Sequence, residues 1–181
     1  MDEFQTYEYV VKQGRSGKNL VSRAMLITGY VFFVLAFLIT GIVTKVMAPL
    51  FALAPIALWI LIFFTWRYVN VEYEISMTSG IFTVSKIYGG RSRKTMMEFA
   101  IKNCSMIAPL THARWSERAE LFRAETVCDA LSSPDAPDAY FAAFESENGK
   151  KEMLYFEATQ KALRICRYYN SAATVVAEVS K

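Results

Sequence analysis

The hydrophobic rhythm of the chain changes sharply near residue 67. Ala24 to Thr44 contains no Asp, Glu, Lys, Arg or His, Val46 to Trp66 contains none either, and only Lys45 stands between them. A helix needs about 20 residues to cross a bilayer core, and each run meets that length. Buried helices of soluble proteins are rarely uncharged for so long, so the two runs predict a transmembrane hairpin with a very short connection. Pro55 falls inside the second run, where membrane helices tolerate it. Ala36 and Thr40 in the first run and Ala48 and Ala52 in the second stand four apart. That spacing lets helices approach closely, either within the hairpin or between copies. Trp66 and Tyr68 sit where an interfacial aromatic belt is expected. Neither run has a charged group in its middle, which argues against an ion pathway built by this subunit alone.

After Arg67 the period is two. Val69, Val71, Tyr73 and Ile75 alternate with Asn70, Glu72, Glu74 and Ser76, the signature of a half-buried strand. Met77 to Gly80 reads as a turn, Ile81 to Tyr88 as a second strand, and Gly89-Gly90 as a second turn. Lys94 to Ile101 and Cys104 to Leu110 follow as strands three and four, the first three forming an antiparallel meander. Ser116 to Leu121 suits a helical turn and Ala124 to Leu131 a strand. Ser132 to Asp138, with two prolines, two serines and two aspartates, is a loop. Ala139 to Glu145 and Lys151 to Glu157 are strands flanking Asn148-Gly149, a strong hairpin signal. Thr159 is the expected N-cap of a final helix running to about Tyr169. Ala172 to Val179 reads as a frayed extension or a short strand.

The segment before the first run is ambiguous. Phe4, Tyr7, Val10 and Val11 fall at helical spacing, but Gly14 and Gly17 interrupt it. It reads either as a short interfacial helix or as a flexible tail. The organisation is thus an N-terminal tail at 1–23, a membrane hairpin at 24–68 and one domain at 69–181, about the usual size for a domain with its own core. The first run starts late, is too long for a signal-peptide core and is followed by a second, so it reads as an uncleaved anchor.

Charge sets the expected sidedness. Lys12, Arg15, Lys18 and Arg23 precede the first run, and Arg67, Lys86, Arg91, Arg93 and Lys94 follow the second, whereas the connection offers only Lys45. Cytoplasmic flanks are richer in Lys and Arg, so both termini are expected in the cytoplasm of a two-span protein of the cell membrane. The net charge of +3 hides a basic half next to the hairpin, which suits an anionic leaflet. Three cysteines, Cys104, Cys128 and Cys166, form no CxxC and read as buried free thiols.

Several antiparallel strands closed by one amphipathic helix resemble a pleckstrin-homology (PH) domain. Val71-Glu72-Tyr73-Glu74-Ile75 directly behind a membrane run, then Gly80-Ile81-Phe82, then the basic Arg91, Arg93 and Lys94, are similar to the opening of bacterial PH-like domains that follow paired transmembrane helices. Tyr155-Phe156-Glu157-Ala158 and the helix after it resemble the end of that family. The whole layout resembles a group of small bacterial membrane proteins and covers most of residues 20 to 170. The resemblance implies a mainly-β antiparallel sandwich or barrel closed by a C-terminal helix. It implies no common ligand, so no binding residue is carried over from it.

Arg67, Arg91, Arg93 and Lys94 are the candidate contacts to anionic lipid headgroups. A solvated basic face that only obeys the orientation rule competes with that reading. His112, near Arg114 and Glu117, lacks partners at a recognisable catalytic or metal-binding spacing and reads as a loop histidine. Asp129, Asp135 and Asp138 lack calcium-loop spacing. No phosphate-binding, dinucleotide, nucleophile-elbow or zinc-protease motif occurs, and no cofactor or metal is expected. The near-neutral soluble part without an aromatic-basic RNA motif gives no support for nucleic acid. The expectation is a membrane-anchored, non-enzymatic interaction or scaffold module that presents its domain to a protein partner or to itself. The competing readings are a membrane-face enzyme using His112, the Arg91 cluster and Glu98 or Glu117, and an accessory subunit of a transport complex.

Overall fold

The computed structural model describes residues 6–14, 17–45, 47–146 and 148–179. The two apolar runs are helices, α1 (Gly17–Thr44) and α2 (Met47–Thr65), and a short 3₁₀ turn (Trp66–Tyr68) leads out of the second. Helix α1 therefore starts earlier than the apolar run that predicts it. The helices touch through Tyr30 and Thr65, whose hydroxyls are 2.5 Å apart. Thr40 and Thr44 donate their hydroxyls to Ala36 O and Thr40 O within α1, so no hydroxyl on this stretch needs water. Two stretches, Asn19–Thr44 and Phe51–Tyr68, are long and apolar enough to cross a membrane, with mean hydropathies of 2.5 and 1.6.

The meander expected behind the hairpin is present as β2 (Val71–Thr78), β3 (Ile81–Tyr88) and β4 (Ser92–Ala100). Gly80, at φ 82°, makes the β2–β3 turn where a side chain would be strained. An additional strand from the N-terminal segment extends this sheet beyond the expected meander. Residues 6–12, read as an interfacial helix or a tail, form β1 (Thr6–Lys12), antiparallel to β2 from Thr6↔Thr78 to Lys12↔Glu72. The physical reason is a period of two in Tyr7, Tyr9 and Val11. Tyr9 Oη donates to Glu157 O at 2.8 Å, Tyr7 Oη lies 3.0 Å from Thr159 Oγ1, and Val11 is buried. The chain then stays bound to the domain, with Gln13 N donating to Val71 O and Gly14 N to Ser132 O. The N-terminal segment is thus part of the β-domain, and the hairpin is an insertion between two neighbouring strands.

The second sheet contains β5 (Cys104–Pro109), β6 (Thr126–Ala130), β7 (Ala139–Glu145) and β8 (Lys151–Glu157) in the order β5-β7-β8-β6. Strand β6 runs parallel to β8, so the all-antiparallel expectation is corrected at this edge. The inner faces of the two sheets meet through aromatic rings. Phe99 and Phe144 have centroids 4.1 Å apart, and Phe82 and Phe156 5.2 Å. Rings that bury this much area dominate the energetics of such a core. The sheets share no ladder among the described residues, so the barrel is not closed.

Strand β7 is buried on both faces because helix α3 (Ala113–Phe122) covers its outer side. Ala119 packs there with Phe141, Ala143 and Met153, beside Trp115 and Phe122. The closing helix α4 (Gln160–Tyr169) begins as expected, with Thr159 Oγ1 accepting from Ala162 N at 3.2 Å. It buries Ala162, Leu163, Ile165 and Cys166, about 1.5–3 kcal/mol for each large aliphatic side chain. The segment after it makes a single bridge beside β5, Ile107↔Thr174.

Candidate functional site

The four basic residues separate into three environments. Arg67 lies in the 3₁₀ turn after α2. The β3–β4 turn folds back onto it, with Gly89 at φ 58° and its amide donating to Asn70 O at 2.7 Å. A Cβ on Gly89 would stand 2.8 Å from the Arg67 Cβ, so glycine permits this approach. The turn delivers Arg91 to the side of α2, its guanidinium carbon 4.4 Å from the Phe63 ring centroid. Between them is a cleft of about 290 Å³ whose walls include Trp59, Phe63, Trp66, Arg67, Gly89 and Arg91.

Arg67 donates from Nη2 to Tyr68 Oη at 2.7 Å. Its Nε is buried and meets no acceptor among the described residues. Neither Arg67 nor Arg91 has an ion pair among the described residues. Arg93 is different: it pairs with the buried Glu74 and, at 3.6 Å, with Glu8 on β1. Lys94 stands on β4 directly opposite Lys86, whose ammonium lies 5.1 Å from the Tyr88 ring centroid. The sequence cluster is thus one two-arginine cleft, one carboxylate-paired arginine and one exposed lysine on the sheet. Trp59 and Phe63, stacked at 5.6 Å, complete the cleft and escaped the sequence reading. Their signal was an aromatic pair four residues apart beside the end of an apolar run.

The residues considered for catalysis are dispersed. His112 is exposed and precedes α3, its carbonyl accepting from Trp115 N at 2.9 Å. Glu117 is exposed on α3. Glu98 lines a different cleft with Asn103 and Glu145, away from the one that holds Arg91. Asp129 accepts from Leu131 N through its own side chain. No group of three or more potential metal ligands occurs among the described residues.

Three thiols and several phenols are shifted upward. Burial pushes Cys166 to about 12, and burial with the neighbouring Cys166 pushes Cys104 up as well. Burial, then the Asp129 carboxylate, raises Cys128, which Lys86 partly opposes. Burial and then Asp129 lift Tyr73 to about 12. The thiols are free and buried, and near neutral pH they stay protonated and act as packing groups rather than nucleophiles.

Two facing sheets, a closing C-terminal helix and a two-helix hairpin place this chain in the PH-like class. The model of the family described as Bacterial PH-like domain (DUF6106) matches residues 1–175, and the chain belongs to that family. The match includes the N-terminal strand and the hairpin as well as the sandwich. No curated protein and no solved structure matches the chain.

Proposed function

We propose that the protein is a membrane-anchored, non-enzymatic module that holds a PH-like domain against the cytoplasmic leaflet, where the domain engages a protein partner or a second copy. One observation carries this reading. The most apolar windows of the two helices are only 6% and 0% covered by the rest of the protein. Phe32, Ile42, Phe51 and Trp59 are each more than 60% exposed. An apolar surface this large is strongly unfavourable in water and neutral in hydrocarbon. The β1–β2 ladder supports a two-span topology, because strands on either side of the hairpin must lie on the same side of the bilayer to pair. The Lys and Arg distribution supports the cytoplasmic side. Tethering raises the local concentration of whatever the domain meets at the leaflet, without new contacts.

The test is fractionation followed by sidedness. The full chain should sediment with bacterial membranes, resist alkaline carbonate and dissolve only in detergent. Lys45→Cys should react with an impermeant maleimide in intact spheroplasts, and Leu121→Cys only after permeabilisation. Recovery of the chain from the aqueous fraction would overturn the anchor, and the opposite labelling pattern would overturn the sidedness. Purification in mild detergent as a monomer with no companion would overturn the interaction role.

A further inference from the structure

We propose that the cleft between the end of α2 and the β3–β4 turn binds the headgroup phosphate of an anionic phospholipid, held by Arg67 and Arg91. This inference rests on the membrane reading above for the source of its ligand. Its chemistry comes from the cleft itself.

Three observations converge. Two guanidinium groups line one cleft and neither has a carboxylate partner among the described residues. Arg93, two residues beyond Arg91, is by contrast paired with Glu74 and Glu8. The cleft therefore holds two arginines without carboxylate partners among the described residues, whereas Arg93 is compensated. Second, the buried Arg67 Nε has no acceptor among the described residues. A buried donor left unpaired is costly, and a phosphate oxygen is the strongest acceptor a leaflet offers. Third, the remaining wall is aromatic and apolar, with Trp59, Ile62 and Phe63 on the last turns of α2 and Trp66 at the start of the 3₁₀ turn. A soluble anion uses only the arginines of such a site. A phospholipid uses both, its phosphate on the guanidinium forks and its glycerol and upper acyl carbons along the rings. The glycine turn fixes the geometry, because Gly89 alone lets the turn close against Arg67.

The experiment uses the full chain in mild detergent, carrying Trp115→Phe so that Trp59 and Trp66 are its only tryptophans. Their emission is followed during titration with short-chain phosphatidylglycerol, with phosphatidylcholine and with inorganic phosphate. Phosphatidylglycerol alone should give a saturable change. Arg91→Gln, at an exposed position, should raise the midpoint about tenfold, the scale of one lost charge-assisted contact. Arg91→Lys should recover part of the affinity, and Arg67→Gln should behave as Arg91→Gln. Lys94→Gln, which removes the same charge outside the cleft, should stay within about twofold. Equal losses in Arg91→Gln and Lys94→Gln would overturn the site in favour of diffuse attraction. Equal binding of inorganic phosphate would replace the lipid by a soluble anion, and equal binding of phosphatidylcholine would remove the role of headgroup charge. Because the titration is done in detergent, it reads the cleft whether or not the chain fractionates with membranes.

Discussion

Asn170 shows how much one side chain holds together. Its Nδ2 donates to Ile101 O at 3.1 Å and Cys104 O at 2.9 Å, and its Oδ1 accepts from Ala173 N at 3.2 Å. It therefore ties the end of α4 to the start of β5 and to the C-terminal segment. Asn170→Ala strands several backbone groups at once, and an orphaned buried group costs about 1–3 kcal/mol. A loss of about 2 kcal/mol is expected in urea unfolding of the detergent-solubilised chain. The buried thiols and phenols predict a pH dependence. Cys166 and Tyr73 are both raised to about 12 by burial, whereas an unfolded chain titrates Cys near about 8.5 and Tyr near about 10. Above those unfolded values the unfolded chain gives up protons that the folded chain keeps. The contribution is full below about pH 8.5 and is lost progressively as pH rises toward 12. The melting temperature should fall steadily above pH 9, and a melt unchanged to pH 11 would contradict the assignment. At this scale the sequence was partly legible. Thr159 is an N-cap that residue type alone announces, while the pairing of Arg93 with Glu74 and Glu8 was hidden, because they are distant in sequence and meet it only across the sheet.

Elements with a strong period were readable, and those whose partners are remote were not. Strands β3, β7 and β8 have the bounds expected from the turn signals that flank them. Strand β1 was misread because Val10 follows Tyr7 at a helical interval, although Tyr7, Tyr9 and Val11 also carry a period of two. The decisive fact, a β2 edge waiting beyond the hairpin, is absent from any local window. The parallel β6–β8 pairing was equally hidden, since nothing in Thr126–Ala130 specifies direction. The β1 assignment makes a sharp prediction. Val11 is 5% exposed opposite Tyr73, while its neighbour Val10 is 46% exposed. Val11→Asp should cost about 3 kcal/mol or more by leaving a buried carboxylate unpaired, and Val10→Thr should stay within about 0.5 kcal/mol. Thermal melts of the two variants check this, and a tolerated Val11→Asp would return the segment to a loose tail. The cleft lay beyond sequence reading for a related reason: Arg67 and Arg91 meet only because the meander returns its second turn to α2.

At the scale of the molecule, the two-helix hairpin and the β-domain are one covalent and hydrogen-bonded unit. Arg23 on α1 donates from Nη2 to Val69 O at 3.1 Å, and Gly14 N donates to Ser132 O at 2.8 Å. A fragment comprising residues 69–181 lacks β1 and leaves the β2 edge unpaired, a template for association. Such a fragment should self-associate in size-exclusion chromatography, and a peptide of residues 1–14 added in trans should return it to a monomer. A fragment that is monomeric and equally heat-stable without the peptide would show that β1 is dispensable. The interrupted sheet also sets a timetable for biogenesis. Translation releases Thr6–Lys12 first, then the hairpin, and only afterwards the strand that Thr6–Lys12 must join. With the helices in a bilayer, the first strand has to wait beside the ribosome until the insertion machinery has threaded the chain out and back. A nascent chain threaded only once would leave the two strands in different compartments. On the proposed two-span topology, pairing of the two strands would therefore follow only from correct insertion, and a misinserted copy would keep its sheet unfinished.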